Sequence, residues 1–213
     1  MKLTIIYDNE VARADLQADW GFSCLVEADG RRLLFDTGAK GALLLSNMER
    51  LGLDPQSITD IFISHAHWDH AGGLPEILRL HRRVKLYVPA SFPQTPEAQS
   101  VVRVPGPCSL SKNIYSTGEL PGAEQSLVVK TKGGLTVVCG CSHPGVGVIL
   151  QAASRFGRVS ALVGGLHGFQ EFEQLKDLSL ICPCHCTQHL KEILARYRQT
   201  AVPGGAGKIL EID

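Results

Sequence analysis

Residues 63–73 read Ile63-Ser64-His65-Ala66-His67-Trp68-Asp69-His70-Ala71-Gly72-Gly73. Three histidines and one aspartate fall within six positions, in a chain of 213 residues that contains eight histidines in all. Ile61, Phe62 and Ile63 form a short apolar run of β type, so the cluster begins where a strand is expected to end. His65 and His67 are two apart and project to the same side of an extended chain. Asp69 and His70 follow as the chain turns, and Gly72-Gly73 allow a tight backbone before the next helix. Imidazole together with carboxylate suits zinc, iron or manganese. A turn of unrelated surface histidines is the plain alternative, and this density and spacing argue against it.

A metal site needs ligands from elsewhere in the chain, and three further stretches offer them. VVCGCSHPG (residues 137–145) carries His143, LVGGLHG (162–168) carries His167, and LICPCHCTQ (180–188) carries His185. In each, a β-type run delivers a histidine to a turn, as at His65. The repetition says more than any one histidine. Six of the eight histidines stand at such places; His81 and His189 lie within helical patterns and are read as solvated or packed without function. The seven cysteines are an odd number, read as free thiols or metal-proximal groups and not as a disulfide framework. Small buried hydrophobes are the default for Cys139, Cys141, Cys182, Cys184 and Cys186. The alternative is that Cys184 and Cys186 touch the metal or make the site sensitive to oxidation.

The rest of the chain supplies a frame for these turns. Strands are expected at 2–8, 22–28, 32–36, 60–64, 84–88, 100–104, 126–131, 135–139, 159–163 and 178–182, and helices at 42–51, 74–81, 146–156 and 188–197. Helices separated by strand pairs, in two successive halves, imply an α/β sandwich with two sheets inside and helices outside. Residues 89–125, rich in Pro, Ser and Gly, read as loop or a small hairpin, with a wall of the substrate site as the functional alternative. Composition is ordinary for a globular protein, at 44% hydrophobic and 20% charged. Twenty-one basic residues balance twenty-one acidic ones, so no electrostatic footprint for nucleic acid or an anionic membrane is present. MKLTIIYDNE has too short an apolar run for a signal peptide, and no stretch approaches the length of a membrane span, so a cytoplasmic protein is expected. GGAGK (204–208) is not followed by a helical pattern and is a poor phosphate loop.

HAHWDH matches the HxHxDH signature of the metallo-β-lactamase superfamily, and the other motifs follow in that superfamily's order: LLFDTG (33–38), GCSHPG (140–145) and the turn holding His185. YDN, GFS, LLFDTG, SHAHWDHAGGL, TGEL, EQSLVVKT, GCSHPG, GGLH and HCT together resemble the branch named for dihydropterin-aminobenzene-phosphate synthase, an enzyme of methanopterin biosynthesis. The resemblance covers essentially the whole chain. It implies a single domain over residues 1–213 with the four-layer αββα sandwich. It further implies two divalent metal ions, zinc first, with manganese, iron or magnesium as alternatives. One would sit on His65, His67 and His143, the other on Asp69, His70 and His185. Asp36 would accept a hydrogen bond from a ligand histidine, and Asp69 would also orient the nucleophile.

The activity so implied is metal-dependent hydrolysis, by a metal-bound hydroxide, of an ester, phosphoester, lactone or thioester. The alternatives are a methanopterin-type synthase joining a pterin to an aminobenzene phosphate, and a mononuclear iron dioxygenase. The expected partner is a small-molecule substrate, with no nucleic acid and no membrane; a homo-oligomer is left open. Most binuclear members carry a bridging aspartate after the strand that here ends in Gly164-Gly165, where this chain has Leu166 and His167. His167 is accordingly expected to face the substrate as a ligand, proton donor or anion contact.

Overall fold

The computed structural model describes residues 1–93 and 97–213. The chain starts with three antiparallel strands, β1 (Lys2–Tyr7), β2 (Ser23–Ala28) and β3 (Arg31–Phe35). Three parallel strands then extend the same sheet beyond β3, namely β4 (Asp60–Phe62), β5 (Lys85–Pro89) and β6 (Ser100–Val104). The second half builds another sheet from β7 (Cys108–Ser109), β8 (Ile114–Ser116), β9 (Leu127–Thr131), β10 (Gly134–Cys139), β11 (Val159–Gly165) and β12 (Leu180–Cys184). β7 to β10 are antiparallel neighbours; β10, β11 and β12 run parallel. The last strand, β13 (Ile209–Glu211), returns to pair with β1, so the first sheet has the order β13-β1-β2-β3-β4-β5-β6.

Parallel neighbours need a crossover, and helices provide it for three of the parallel pairs. α1 (Gly41–Arg50) links β3 to β4, and α2 (Trp68–Ala71) with α3 (Leu74–Leu80) link β4 to β5. α4 (Val146–Ser154) links β10 to β11, and α5 (Leu190–Arg196) follows β12. Each longer helix buries one face: Leu44 and Met48 on α1, Leu74, Ile77 and Leu78 on α3, Val146, Ile149 and Ala153 on α4. Three apolar clusters result. One fills the space between the sheets with Phe22, Phe35 and Phe62 from one side and Leu127, Val138 and Val163 from the other. The second lies between the first sheet and α1 and α3, the third between the second sheet and α4 and α5. The layers are therefore helix, sheet, sheet, helix, as the sequence pattern implied.

All ten expected strands and all four expected helices form, within a few residues of their expected ends. β7, β8, β13 and the single-turn α2 are additions; each is too short to show a period. β7 and β8 make the hairpin expected within 89–125, while the part of that stretch at 94–96 lies outside the described residues. The chain from Thr117 to Ser126 does not stay on the rim. Gln125 donates to Ile63 O at 2.9 Å from its side chain and to Ser64 O at 2.9 Å from its amide, threading against the end of β4. Gly72 and Gly73 are glycine because of close approach and not because of backbone angle. A Cβ would lie 2.3 Å from Ala39 O at the first and 2.4 Å from Thr37 O at the second.

Phe62 ties the inter-sheet core to the strand that carries the histidine cluster. Its ring is stacked on Phe35, with centroids 5.5 Å apart. Phe62→Ala is expected to lower unfolding free energy by about 3–5 kcal/mol in urea titration. A loss below about 1 kcal/mol would mean that the core collapses around the cavity, and that this packing does not hold the strand.

Candidate metal centre

The parallel strands of both sheets end at one edge of the sandwich, and every singled-out side chain stands just beyond such an end or in the turn that follows it. Asp36 follows β3, His65 to His70 follow β4, His143 follows β10, His167 follows β11 and His185 follows β12. Ligand sites at the carboxyl ends of parallel strands are the general rule for α/β sheets. Among the described residues six non-glycines have positive φ, and four of them, Asp36, Ser142, His167 and His185, lie at these ends. Backbone in the left-handed region is sterically costly for side-chain-bearing residues and gathers at functional sites.

Among the described residues, the six residues expected as ligands fall into two groups of donor atoms. His65, His67 and His143 make one; Asp69, His70, Cys141 and His185 make the other. Three of the imidazoles are hydrogen-bonded through Nδ1, and in a fourth, His143, Nδ1 faces a carboxylate without a bond of good geometry. His70 Nδ1 lies 2.7 Å from Asp36 Oδ2, and His185 Nδ1 lies 2.9 Å from Asn9 Oδ1. His143 Nδ1 lies 2.9 Å from Glu124 Oε2. His65 Nδ1 lies 2.9 Å from Ser64 Oγ, whose own proton goes to Asp36 Oδ2 at 2.7 Å. Each partner has an acceptor to offer there, which places the imidazole proton on Nδ1 and leaves a lone pair on Nε2.

Those lone pairs converge. His70 Nε2 and His185 Nε2 are 3.2 Å apart, Cys141 Sγ is 3.1 Å from His70 Nε2, and Asp69 Oδ2 is 3.3 Å from His185 Nε2. Two acceptor nitrogens and a carboxylate packed this closely repel one another unless a cation lies among them. Tetrahedral coordination with metal–nitrogen and metal–oxygen bonds of about 2.0–2.1 Å has edges of about 3.3 Å; the two separations from His185 Nε2 match this, while His70 Nε2 and Asp69 Oδ2 stand 4.0 Å apart. His65 Nε2 is buried with no hydrogen-bond partner. An orphaned imidazole nitrogen facing two further imidazoles fits a metal and fits no hydrogen-bonded arrangement. The residues therefore suit divalent ions.

The electrostatics agree. Burial, helped by the neighbouring imidazoles His70 and His185 respectively, holds His65 and His70 down to about 3, so both are neutral and able to ligate at ordinary pH. Burial acts to raise Glu124, but His143, His65 and the amides of Ser142 and His143 outweigh it and hold the carboxyl at about 2. Asp69 is likewise held well below the usual range, His185 and His70 outweighing burial. Burial pushes Asp36 up to about 8, ahead of the lowering by His65 and Ser64. Positive charge on the Nε2 side of His70 would favour the carboxylate.

The six residues expected as ligands lie together in two groups, and Asp36 contacts His70, one of them. Cys182 and Cys184 pack in the core between the sheets, whereas Cys186 and Cys141 lie against the site. His81 ends α3 with Nε2 3.0 Å from Ile58 O, and His189 precedes α5 beside Glu192, both away from the cluster. Sequence reasoning assigned no role to Glu124, Asn9, Ser64 or Trp20. Trp20 Nε1 donates to Asp69 Oδ2 at 2.9 Å, and its ring lies 5.1 Å from that of His185. Asn9 carried a signal, since it ends the first strand within YDN. Glu124 opens the EQSLVVKT motif, but it lies 19 residues before His143, with no periodic relation to it.

Glu124→Gln and Asp36→Asn are each expected to weaken metal binding about 10- to 100-fold in chelator competition, because each removes an anionic acceptor behind a ligand imidazole. Unchanged affinity in both would mean the tethers are ornamental. The Glu124 carboxyl lies below its ordinary 4.5 when folded, so it stabilises the fold above that pH and ceases to do so as pH falls toward about 2. In metal-free protein the stability gap between wild type and Glu124→Gln should close across that window, as followed by denaturant titration.

Comparison with known proteins gives this site a lineage. The chain is 26% identical over 262 aligned positions to 7,8-dihydropterin-6-methyl-4-(β-D-ribofuranosyl)-aminobenzene-5'-phosphate synthase of Methanocaldococcus jannaschii, covering 90% of this chain and 89% of that protein. The crystal structure of a metal-dependent hydrolase of the β-lactamase superfamily superposes with a TM-score of 0.82 at 26% identity, covering 100% of this chain and 99% of the other. Zinc-bound PqqB from Methylobacterium extorquens shares the fold, with a TM-score of 0.68 at 12% identity over the full length of both chains. The family model that matches residues 21–140, more than half of the chain, is that of the metallo-β-lactamase superfamily, and to that superfamily the protein belongs.

Proposed function

We propose that this protein is a metal-dependent hydrolase acting on a small molecule with an ester, phosphoester, lactone or thioester bond. The observation that supports this most is the convergence of unprotonated imidazole nitrogens, one carboxylate and one thiol at the shared edge of the two sheets. In this reading His65, His67 and His143 hold one ion, and Asp69, His70 and His185, with Cys141 beside them, hold a second. Zinc is the ion proposed first, since nitrogen and sulfur donors at these separations suit it. Bound there, such ions would supply Lewis acidity, polarising a carbonyl or phosphoryl oxygen and making hydroxide available near neutral pH.

The remaining work falls to side chains. Asp69 is held too acidic to store a proton, so its role is to accept a hydrogen bond from the attacking water and aim it. Trp20 fixes that carboxylate by donating to Oδ2. The cluster opens to solvent on the side of His67, and Trp20 and Trp68, 49% and 63% exposed, are the large apolar side chains next to the ligands. They offer an apolar surface to the non-reacting part of a substrate. The balanced charge of the chain favours a small molecule over nucleic acid as the partner.

A second reading is supported by the likeness to the M. jannaschii synthase over 90% of the chain. The same ions would then act as Lewis acids while a bond forms between a dihydropterin and an aminobenzene phosphate.

Elemental analysis of protein purified without added metal is expected to give at least about two equivalents per chain. A panel of aryl esters, phosphodiesters, lactones and thioesters should reveal turnover that a chelator removes and zinc restores. His143→Ala and Asp69→Asn should each lose at least about 10²-fold of it. Hydrolysis that survives chelation and both substitutions would sink this reading. Condensation of a dihydropterin with the aminobenzene phosphate, with no hydrolysis anywhere on the panel, would move the assignment to the synthase.

A further inference from the structure

The proposed hydrolysis leaves a pair of sulfurs largely unused. Cys141 follows the end of β10 and Cys186 follows His185 beyond β12, and both are buried. Their sulfurs and a ring nitrogen of His167 lie within 4.8 Å of one another. Cys141 Sγ belongs at the same time to the group of Asp69, His70 and His185. It is the vertex that the two groups share.

The backbone is shaped around these sulfurs. A Cβ at Gly165 would lie 2.7 Å from Cys186 Sγ, so the end of β11 is bare where that sulfur sits. His167 and His185 hold φ of 45° and 48°, left-handed values that turn the chain at both sides of the pair. The two turns are stitched together: Gln188 N donates to His167 O at 2.9 Å, and Leu166 N to Thr187 Oγ1 at 3.0 Å. Ordinary burial accounts for Cys24, Cys182 and Cys184, which pack between the sheets, and for Cys139, which packs under α4. It does not account for two thiols that face imidazoles at the mouth of a metal site.

We propose that Cys141, His167 and Cys186 form a third, sulfur-rich metal subsite that takes a thiophilic ion such as zinc or copper(I). The proposal rests on the metal-binding reading of the neighbouring histidines. Two thiolates and one imidazole are a soft donor set, which selects such ions over magnesium or calcium. A thiolate has more than one lone pair, so Cys141 can serve this ion and its neighbour together. On binding, each thiol gives its proton to solvent and its sulfur to the metal, with no change of oxidation state. His167 is exposed while both cysteines are buried, so the subsite meets solvent on the His167 side, and three protein donors leave the fourth position of a tetrahedral ion to an incoming sulfur or nitrogen ligand.

The test is a titration of metal-depleted, reduced full-length protein with cobalt(II), read by bound metal per chain and by thiolate-to-cobalt absorption in the near ultraviolet. Wild type is expected to saturate near about three equivalents with strong thiolate absorption. Cys186→Ser and His167→Asn, the latter chosen because asparagine tolerates left-handed backbone, should each stop near about two, and the first should also weaken the thiolate band. Saturation of wild type near about two equivalents overturns the subsite, as does a Cys186→Ser protein that matches wild type in both readouts. The wild-type count decides even if a variant does not fold. If chelator-sensitive hydrolysis persists while wild type stops near about two, only the subsite is lost; if wild type binds no cobalt, the metal-dependent reading falls with it.

Discussion

Asp36 is fully buried, and its two oxygens join the end of one strand to the turn beyond the next. Oδ1 accepts from the Ser64 amide at 2.6 Å, while Oδ2 accepts from the Ser64 hydroxyl at 2.7 Å and faces His70 Nδ1 at the same distance. Through Ser64 the same carboxyl governs His65. One side chain thereby sets the proton position of a histidine in each donor group. Its backbone is left-handed, and its amide donates to Phe62 O at 2.8 Å, which fixes the carboxyl between the end of β3 and the end of β4. If Asp36 moved, both imidazoles would be free to rotate and to change tautomer, and the lone pairs would no longer meet.

The two sheets contribute unequally to this arrangement. The first supplies the HAHWDH turn together with Asp36, and Asn9 from the end of β1. The second supplies His143, His167 and His185, each from a different strand end, so their mutual placement depends on strand register within that sheet. Cys139 stands opposite Gly164 in the β10–β11 ladder and Gly165 opposite Cys184 in the β11–β12 ladder, which levels the three ends. Phe35 and Phe62 from one sheet and Val138 and Val163 from the other fill the space just behind the ligands. Apolar packing thus sets the distance between the two halves of the site, and hydrogen bonds set the angles.

Glu124 is the counterpart of Asp36 on the second sheet. It is fully buried and accepts from the amides of Cys141, Ser142 and His143 at 3.0–3.1 Å while facing His143 Nδ1. It holds both the loop and the ring at its end. The chain brings it there by threading residues 117–126 inward against β4, which a Pro- and Gly-rich composition gave no reason to expect. Carboxylates behind the imidazoles on both sides leave Asp69 as the carboxylate among the donors themselves. Cys141 stands as the other potential anion, and that makes the sulfur at the meeting point of two donor groups chemically consequential.

The local pattern of the sequence was enough to determine the layers, the strands and which histidines stand at strand ends. Apolar runs of period two and helical runs of period 3.6 are local, and a histidine at the end of such a run is visible without knowing what lies across from it. HAHWDH is dense enough to point to a candidate metal site, because imidazoles seldom crowd within one turn without such a reason. What only the tertiary structure decided is which partner stands behind each ligand. Glu124 reaches His143, Asn9 reaches His185, Trp20 reaches Asp69, and Cys186 meets Cys141 across 45 residues of chain. These contacts depend on the register of parallel strands and on where a loop threads. Neither is written as a period or a spacing, so the chemistry could be read along the chain while its tuning appeared only after the ends of two sheets were brought to one edge.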